Sequence, residues 1–138
     1  YDNLGLETAW KRYQTVLVSD AGGQMAPEAS PWRLWPLHAY RVLELIDNQV
    51  RSLRKRQLID SFVKKARAGT YWGVRSDLRD YHLSDPLPCP FERTMELAAT
   101  PTRLAKVSPE RQERLINWGY AACDTALRKH VDPGLPRP

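Results

Sequence analysis

Cysteine is scarce in this chain, with Cys89 and Cys123 the two occurrences in 138 residues. They have no C-x-x-C spacing and no neighbouring histidine set, which excludes a zinc ribbon or finger read from spacing. Both read as free thiols, while a disulfide between them stays open in an oxidising compartment. Long apolar runs are also lacking: no stretch approaches the roughly 20 residues that span a bilayer, so a transmembrane helix is excluded. Tyr1 to Trp10 has no basic start followed by an apolar block, and no secretory leader is visible there. Nucleophile and phosphate motifs are absent too. The chain contains no G-x-S-x-G elbow, no phosphate loop with its lysine, no H-E-x-x-H and no dinucleotide fingerprint.

What is present is an ordinary globular composition, 42% hydrophobic and 27% charged, of a size that suits one modest domain or a piece of a larger one. The net charge of +5 favours anionic partners such as phosphates, phospholipid head groups or nucleic acid, without choosing among them.

Asn3 offers a side-chain cap to a short helix through Leu4, Leu6, Ala9 and Trp10, with Glu7 near its positive end. Thr15 to Ser19 is a β-branched apolar run expected to form a strand buried on both faces, stopped by Asp20-Ala21-Gly22-Gly23. Gln24 to Pro36, with three prolines and with Trp32 and Trp35, reads as a loop. Apolar residues then recur at helical spacing from Leu37 to Ala66, predicting one long helix or two separated by a bend, ended by Gly69. Thr70 to Arg75 reads as a second strand, the proline-broken stretch from Asp80 to Pro90 as a loop, and Phe91 to Ala99 as a short helix. Ser108-Pro109-Glu110 is a helix start. Its buried stripe is expected to be Leu115, Ile116, Gly119, Ala122, Cys123, Ala126 and Leu127. Residues 132 to 138 form a proline-rich tail after a body of residues 1 to 131.

Helix, strand and glycine turn in that order suggest an α/β layer, in which loops at strand carboxyl ends build the site. Asp20 therefore has two readings, a carboxylate bordering a cleft together with Gly22, or one that organises its own turn. The cluster Arg51, Arg54, Lys55 and Arg56 reads as a solvated helix face with Leu53 and Leu58 inward, or as a grip on anionic lipid. Trp32, Trp35, Tyr71 and Trp72 read as core packing or as an interfacial aromatic set. The three histidines, His38, His82 and His130, read as structural, with His130 beside the negative end of its helix.

Several segments resemble bacterial patatin-like phospholipases. Tyr1-Asp2-Asn3-Leu4-Gly5-Leu6-Glu7 is similar to the stretch following that family's D-G-G motif. Thr15 to Gly22, Ile46 to Arg51, Arg54 to Leu58 and Leu115 to Tyr120 look like its C-terminal half, and together the matches cover most of the chain. The resemblance implies the C-terminal part of a three-layer α/β/α fold, helix-rich with about two strands. It also implies lipid acyl-ester hydrolysis by a serine and aspartate dyad, with no metal or organic cofactor. Neither dyad motif is present, and Asp20-Ala21-Gly22-Gly23 has alanine where the family needs glycine. No catalytic residue carries over, and the chain alone is expected to be inactive. Tyr1, Asp2, Asn3, Asp20 and Gly22 would line the cleft. The implied partners are the N-terminal half of the same hydrolase, a lipid or phospholipid substrate and a peripheral membrane surface, at a cytoplasmic or membrane-associated location, with nucleic acid not favoured. Exposed sheet edges in such a piece would make it oligomeric or prone to aggregate. The competing reading is a small basic module for an anionic membrane or nucleic acid.

Overall fold

The computed structural model describes residues 4 to 23, 25 to 30, 33 to 101 and 105 to 138. Among them are four α-helices, one 3-10 turn and a two-stranded parallel sheet, a helix-rich mixed α/β architecture. The chain divides into two compact units, Tyr1–Tyr13 with Gln24–Ala66, and Gln14–Gly23 with Arg67–Pro138.

The first unit holds α1 (Leu6–Arg12) and α2 (Trp35–Val63). Asn3 lies outside the described residues, and the cap of α1 is Gly5, in the left-handed conformation that glycine adopts without penalty. Glu7 sits in the first turn as expected and pairs with Lys11 at 2.7 Å. The long helix is continuous for 29 residues, about 43 Å at the α-helical rise. It begins two residues earlier than the apolar pattern indicates, because Pro36 sits in its first turn, where a missing N–H costs nothing. Arg41 ties the incoming segment to α2: its guanidinium donates to the Ala26 carbonyl and pairs with Glu28 and Glu44. Leu58 is fully enclosed, as expected, but Leu53 is 53% exposed. Trp35, Tyr40, Leu43 and Ile46 are exposed as well, so periodicity found the helix but not which of its residues are covered.

The second unit is built on β1 (Thr15–Asp20) and β2 (Ala68–Gly73), followed by the 3-10 turn Leu78–Tyr81, α3 (Phe91–Ala98) and α4 (Pro109–His130). The strands run parallel, Thr15 opposite Ala68 and Asp20 opposite Gly73. The strand β1 is not buried on both faces: Val16, Val18 and Asp20 are buried, while Thr15, Leu17 and Ser19 are exposed, because α4 packs against β2 rather than β1.

Gly69 does not end the long helix but lies inside β2 at φ +133°, where a Cβ would sit 1.9 Å from the Val16 carbonyl oxygen. The glycine is there for close approach of two backbones, a use that sequence cannot tell from a helix stop.

Ser108 caps α4 as its sequence predicts, its hydroxyl accepting from the Arg111 N–H. The buried stripe is rotated from the expected one. Ala121, Ala122, Thr125, Ala126 and Arg128 are buried, and Ile116 is 69% exposed. The small side chains let α4 lie close over Leu78 and Trp72. The buried Arg128 is held by Asp124, one turn back, and by the carboxylate and carbonyl of Asp85, which fastens the proline-rich loop to the helix.

His130 closes α4 with its ring tilted against Tyr81, 5.7 Å between centroids. Partial burial, and then the neighbouring Lys129, hold its pKa below the ordinary histidine value, opposite to what the helix end alone would do. A proton on His130 therefore works against the fold. Its contribution to stability is complete above the unfolded-state value and is lost as pH falls through it. In a proton NMR titration, the His130 ring signals should move with a midpoint below 6.5; a midpoint above that value would mean that the helix end dominates.

Candidate functional site

Parallel pairing brings the carboxyl ends of β1 and β2 side by side, and each is followed by a turn. Asp20, the last residue of β1, is 7% exposed. Its two carboxylate oxygens face different donors. Oδ1 accepts the backbone N–H of Gly22 at 2.9 Å, and Oδ2 accepts the phenol of Tyr71 at 2.8 Å. Its carbonyl accepts the Val74 N–H at 2.8 Å, which continues the ladder into the second turn. A buried carboxylate satisfied by a backbone amide and a phenol is oriented before any ligand arrives.

A second layer holds this arrangement. Tyr81 donates its hydroxyl to the Tyr71 carbonyl at 2.9 Å, and Ser76 Oγ accepts the Gly73 N–H at 2.9 Å. Burial, with a smaller push from Asp80, raises the Tyr81 phenol above its usual pKa, so it stays a donor through the physiological range. Gly73 leaves room for the tyrosine: a Cβ there would lie 2.9 Å from the Tyr71 hydroxyl.

The candidates named from sequence are distributed as follows. Asp20 and Gly22 meet in one hydrogen-bonded turn. Tyr1, Asp2 and Asn3 lie outside the described residues. Arg51, Arg54 and Lys55 share one side of α2 and are half-buried, each engaged in interactions, Arg54 with Glu7 at 3.8 Å. Arg56 is exposed and, about 160° around the helix axis from Arg54, does not share that side. Three of the four cations thus share a half-buried side of α2, and the fourth lies off it.

Sequence reading missed Tyr71, Ser76 and Tyr81 as supports of Asp20. In the sequence Tyr71 falls with the tryptophans as a core or interfacial aromatic. The usable signal was the parallel register, which puts residue 71 on the same side of the sheet as Asp20.

Chemically the turn is an acceptor site whose carboxylate is already occupied. Among the described residues, no serine, threonine or cysteine side chain donates to a histidine or a carboxylate, and no group of three or more His, Cys, Asp or Glu is placed to hold a metal. Burial pushes both thiols, Cys89 and Cys123, above their ordinary pKa, which disfavours the thiolate. A groove of about 520 Å³ between α3 and α4, lined by Cys89, Arg93, Leu97, Arg114 and Trp118 among others, holds no nucleophile and base pair. Among the described residues no helix is long and apolar enough to cross a membrane.

No protein-family model, no curated protein and no solved structure matches this chain.

Proposed function

We propose that this chain is the supporting C-terminal part of a patatin-like lipid acyl hydrolase, whose nucleophilic serine and catalytic aspartate are supplied by an N-terminal half. The observation that carries this reading is the Asp20 turn. Two parallel strands end together on a buried, pre-oriented carboxylate, the position where open α/β sheets place the border of an active site. That carboxylate is engaged by Tyr71 and Gly22 and has no nucleophile beside it among the described residues, which suits a wall of a pocket rather than its reacting centre. In the complete site the serine would form an acyl-enzyme and water would release it, and this part would shape the cleft for a lipid or phospholipid. Tyr1 to Asn3 would stand close to the catalytic aspartate. The location in this reading is cytoplasmic or at a membrane surface.

The competing reading, a basic module binding an anionic membrane or nucleic acid through α2, is weakened by the engagement of Arg51, Arg54 and Lys55. A phosphate-binding module would also lose affinity steeply with salt.

The test is hydrolysis of a short-chain nitrophenyl ester. The purified chain should show no turnover, and mixing it with the N-terminal half should restore it. Turnover by the chain alone, or an acylated side chain within it after treatment with a fluorophosphonate probe, would sink the reading.

A further inference from the structure

The Asp20 turn is joined to the far end of α4 by an unbroken series of contacts. The ring of His130, the last residue of α4, lies against the ring of Tyr81, 5.7 Å between centroids and tilted by 59°. The Tyr81 hydroxyl donates to the Tyr71 carbonyl at 2.9 Å. The phenol of Tyr71 donates to Asp20 Oδ2 at 2.8 Å, and Oδ1 of the same carboxylate accepts the Gly22 N–H at 2.9 Å. All five residues belong to one compact unit. One end of the series is an imidazole, whose charge changes in the physiological range, and the other is the candidate site.

An imidazole can move such a series only if its charged form has somewhere else to go. His130 as a whole is exposed, so turning its side chain off Tyr81 brings an imidazolium into water. The backbone need not follow. Arg128 is fixed by Asp124 and Asp85, and Lys129 donates to the His82 carbonyl at 3.4 Å, so the last turn of α4 stays in place while one ring moves. The surrounding charges offer a proton no partner. Lys129 repels it from the same helix, and Asp80 acts on Tyr81 instead. Asp85 and Asp124 are taken by Arg128, Asp77 by Arg79, and Asp132 accepts from the Gly134 N–H.

We infer that His130 is a pH-sensitive latch on the Asp20 turn: its neutral ring holds Tyr81 on the Tyr71 carbonyl, and its protonated ring lets go, loosening the Tyr71 bond to Asp20 and with it the Gly22 bond. The sign follows from partial burial, which disfavours the charged ring. The latch is closed above the His130 titration and opens as pH falls through it. Under the proposed function the loosened turn is a wall of the lipid cleft, so acid would reshape the pocket. That consequence rests on the hydrolase reading, while the latch itself does not.

The experiment is a proton–nitrogen NMR titration of the whole chain between about pH 5 and 8, following the Gly22 amide and the His130 ring together. The Gly22 amide proton should move upfield as pH falls, as a weakened hydrogen bond requires, with the same midpoint as the His130 ring. His130→Phe keeps on Tyr81 an aromatic ring that cannot titrate, and it should hold the Gly22 amide at its high-pH position throughout. Tyr81→Phe keeps both rings and the charge but removes the hydroxyl, so His130 should still titrate while Gly22 no longer follows. His82 is the other histidine of this unit, and His82→Gln should leave the Gly22 midpoint where it was. A dispersed spectrum shows that each variant is folded. A Gly22 amide that stays flat across the His130 titration, moves downfield, still titrates in His130→Phe or changes its midpoint in His82→Gln overturns the latch. One that still follows in Tyr81→Phe overturns it too, since the charge would then be acting through space. None of these outcomes bears on the hydrolase reading, which fails by its own ester and fluorophosphonate tests.

Discussion

Gly69→Ala should abolish stable folding of the unit that contains the sheet. The added Cβ would lie 1.9 Å from the Val16 carbonyl oxygen and 2.8 Å from its carbon, both backbone atoms that cannot swing aside. The residue also sits at φ +133°, a region that L side chains rarely occupy. Relief requires β2 to leave β1, and that breaks the ladder on which Asp20 and its turn depend. The loss should exceed about 4 kcal/mol, the range reserved for substitutions that break a named structural requirement. Urea unfolding followed by tryptophan fluorescence would measure it, through Trp72 packed on the Leu78, Ala121 and Ala122 cluster. Gly119→Ala provides the opposite sign. Nothing lies within 4 Å of a Cβ there and the position is inside α4, so alanine should stabilise by about 0.5–1 kcal/mol. If the two substitutions behave alike, the backbone approach at Gly69 is not as close as described.

Asp20→Ala should cost about 1–3 kcal/mol, because it removes the acceptor that the Tyr71 hydroxyl and the Gly22 N–H share at a part-buried site. Asp20→Asn keeps the shape and one acceptor and should cost less. Tyr71→Phe removes the other end of the same hydrogen bond. The double variant should therefore be more stable than the sum of the two single losses allows, and thermal unfolding of the four proteins would give that coupling. Strict additivity would show that the carboxylate and the phenol do not depend on each other. It would also remove the observation on which the functional reading rests.

Much of the local architecture is legible in the sequence. The start of α4 announced itself through Ser108, Pro109 and Glu110, since capping is a local matter of one side chain and one amide. The first strand and the Asp20 turn were visible for a similar reason: β-branched residues followed by a glycine pair need no tertiary partner to be recognised. What failed were the readings that depend on a neighbour. Leu17 was expected to be buried because apolar strands usually are, but the covering helix lies over β2. Ile116 and Leu53 followed the periodicity of their helices and are nevertheless exposed, since periodicity defines a stripe without saying what lies opposite it. A glycine after an apolar helix commonly ends it, so Gly69 reads as a stop; only the position of Val16 reveals its other use. In the candidate site, Asp20 was found from its place at a strand end. Its partner Tyr71, and Tyr81 bound in turn to the Tyr71 carbonyl, are not legible, because they lie 51 and 61 residues further along the chain and only the fold brings them back.

The two tyrosines and the serine around β2 also determine what kind of assembly this sheet can enter. Amyloid-like growth needs a strand with two receptive sides, so that each added molecule presents a fresh template for the next. Here Tyr81 engages the Tyr71 carbonyl and Ser76 the Gly73 N–H from within the molecule, so the carboxyl end of that side offers fewer backbone groups to an incoming strand. The same side chains that support the Asp20 turn thereby blunt that end of β2 as a template for added strands.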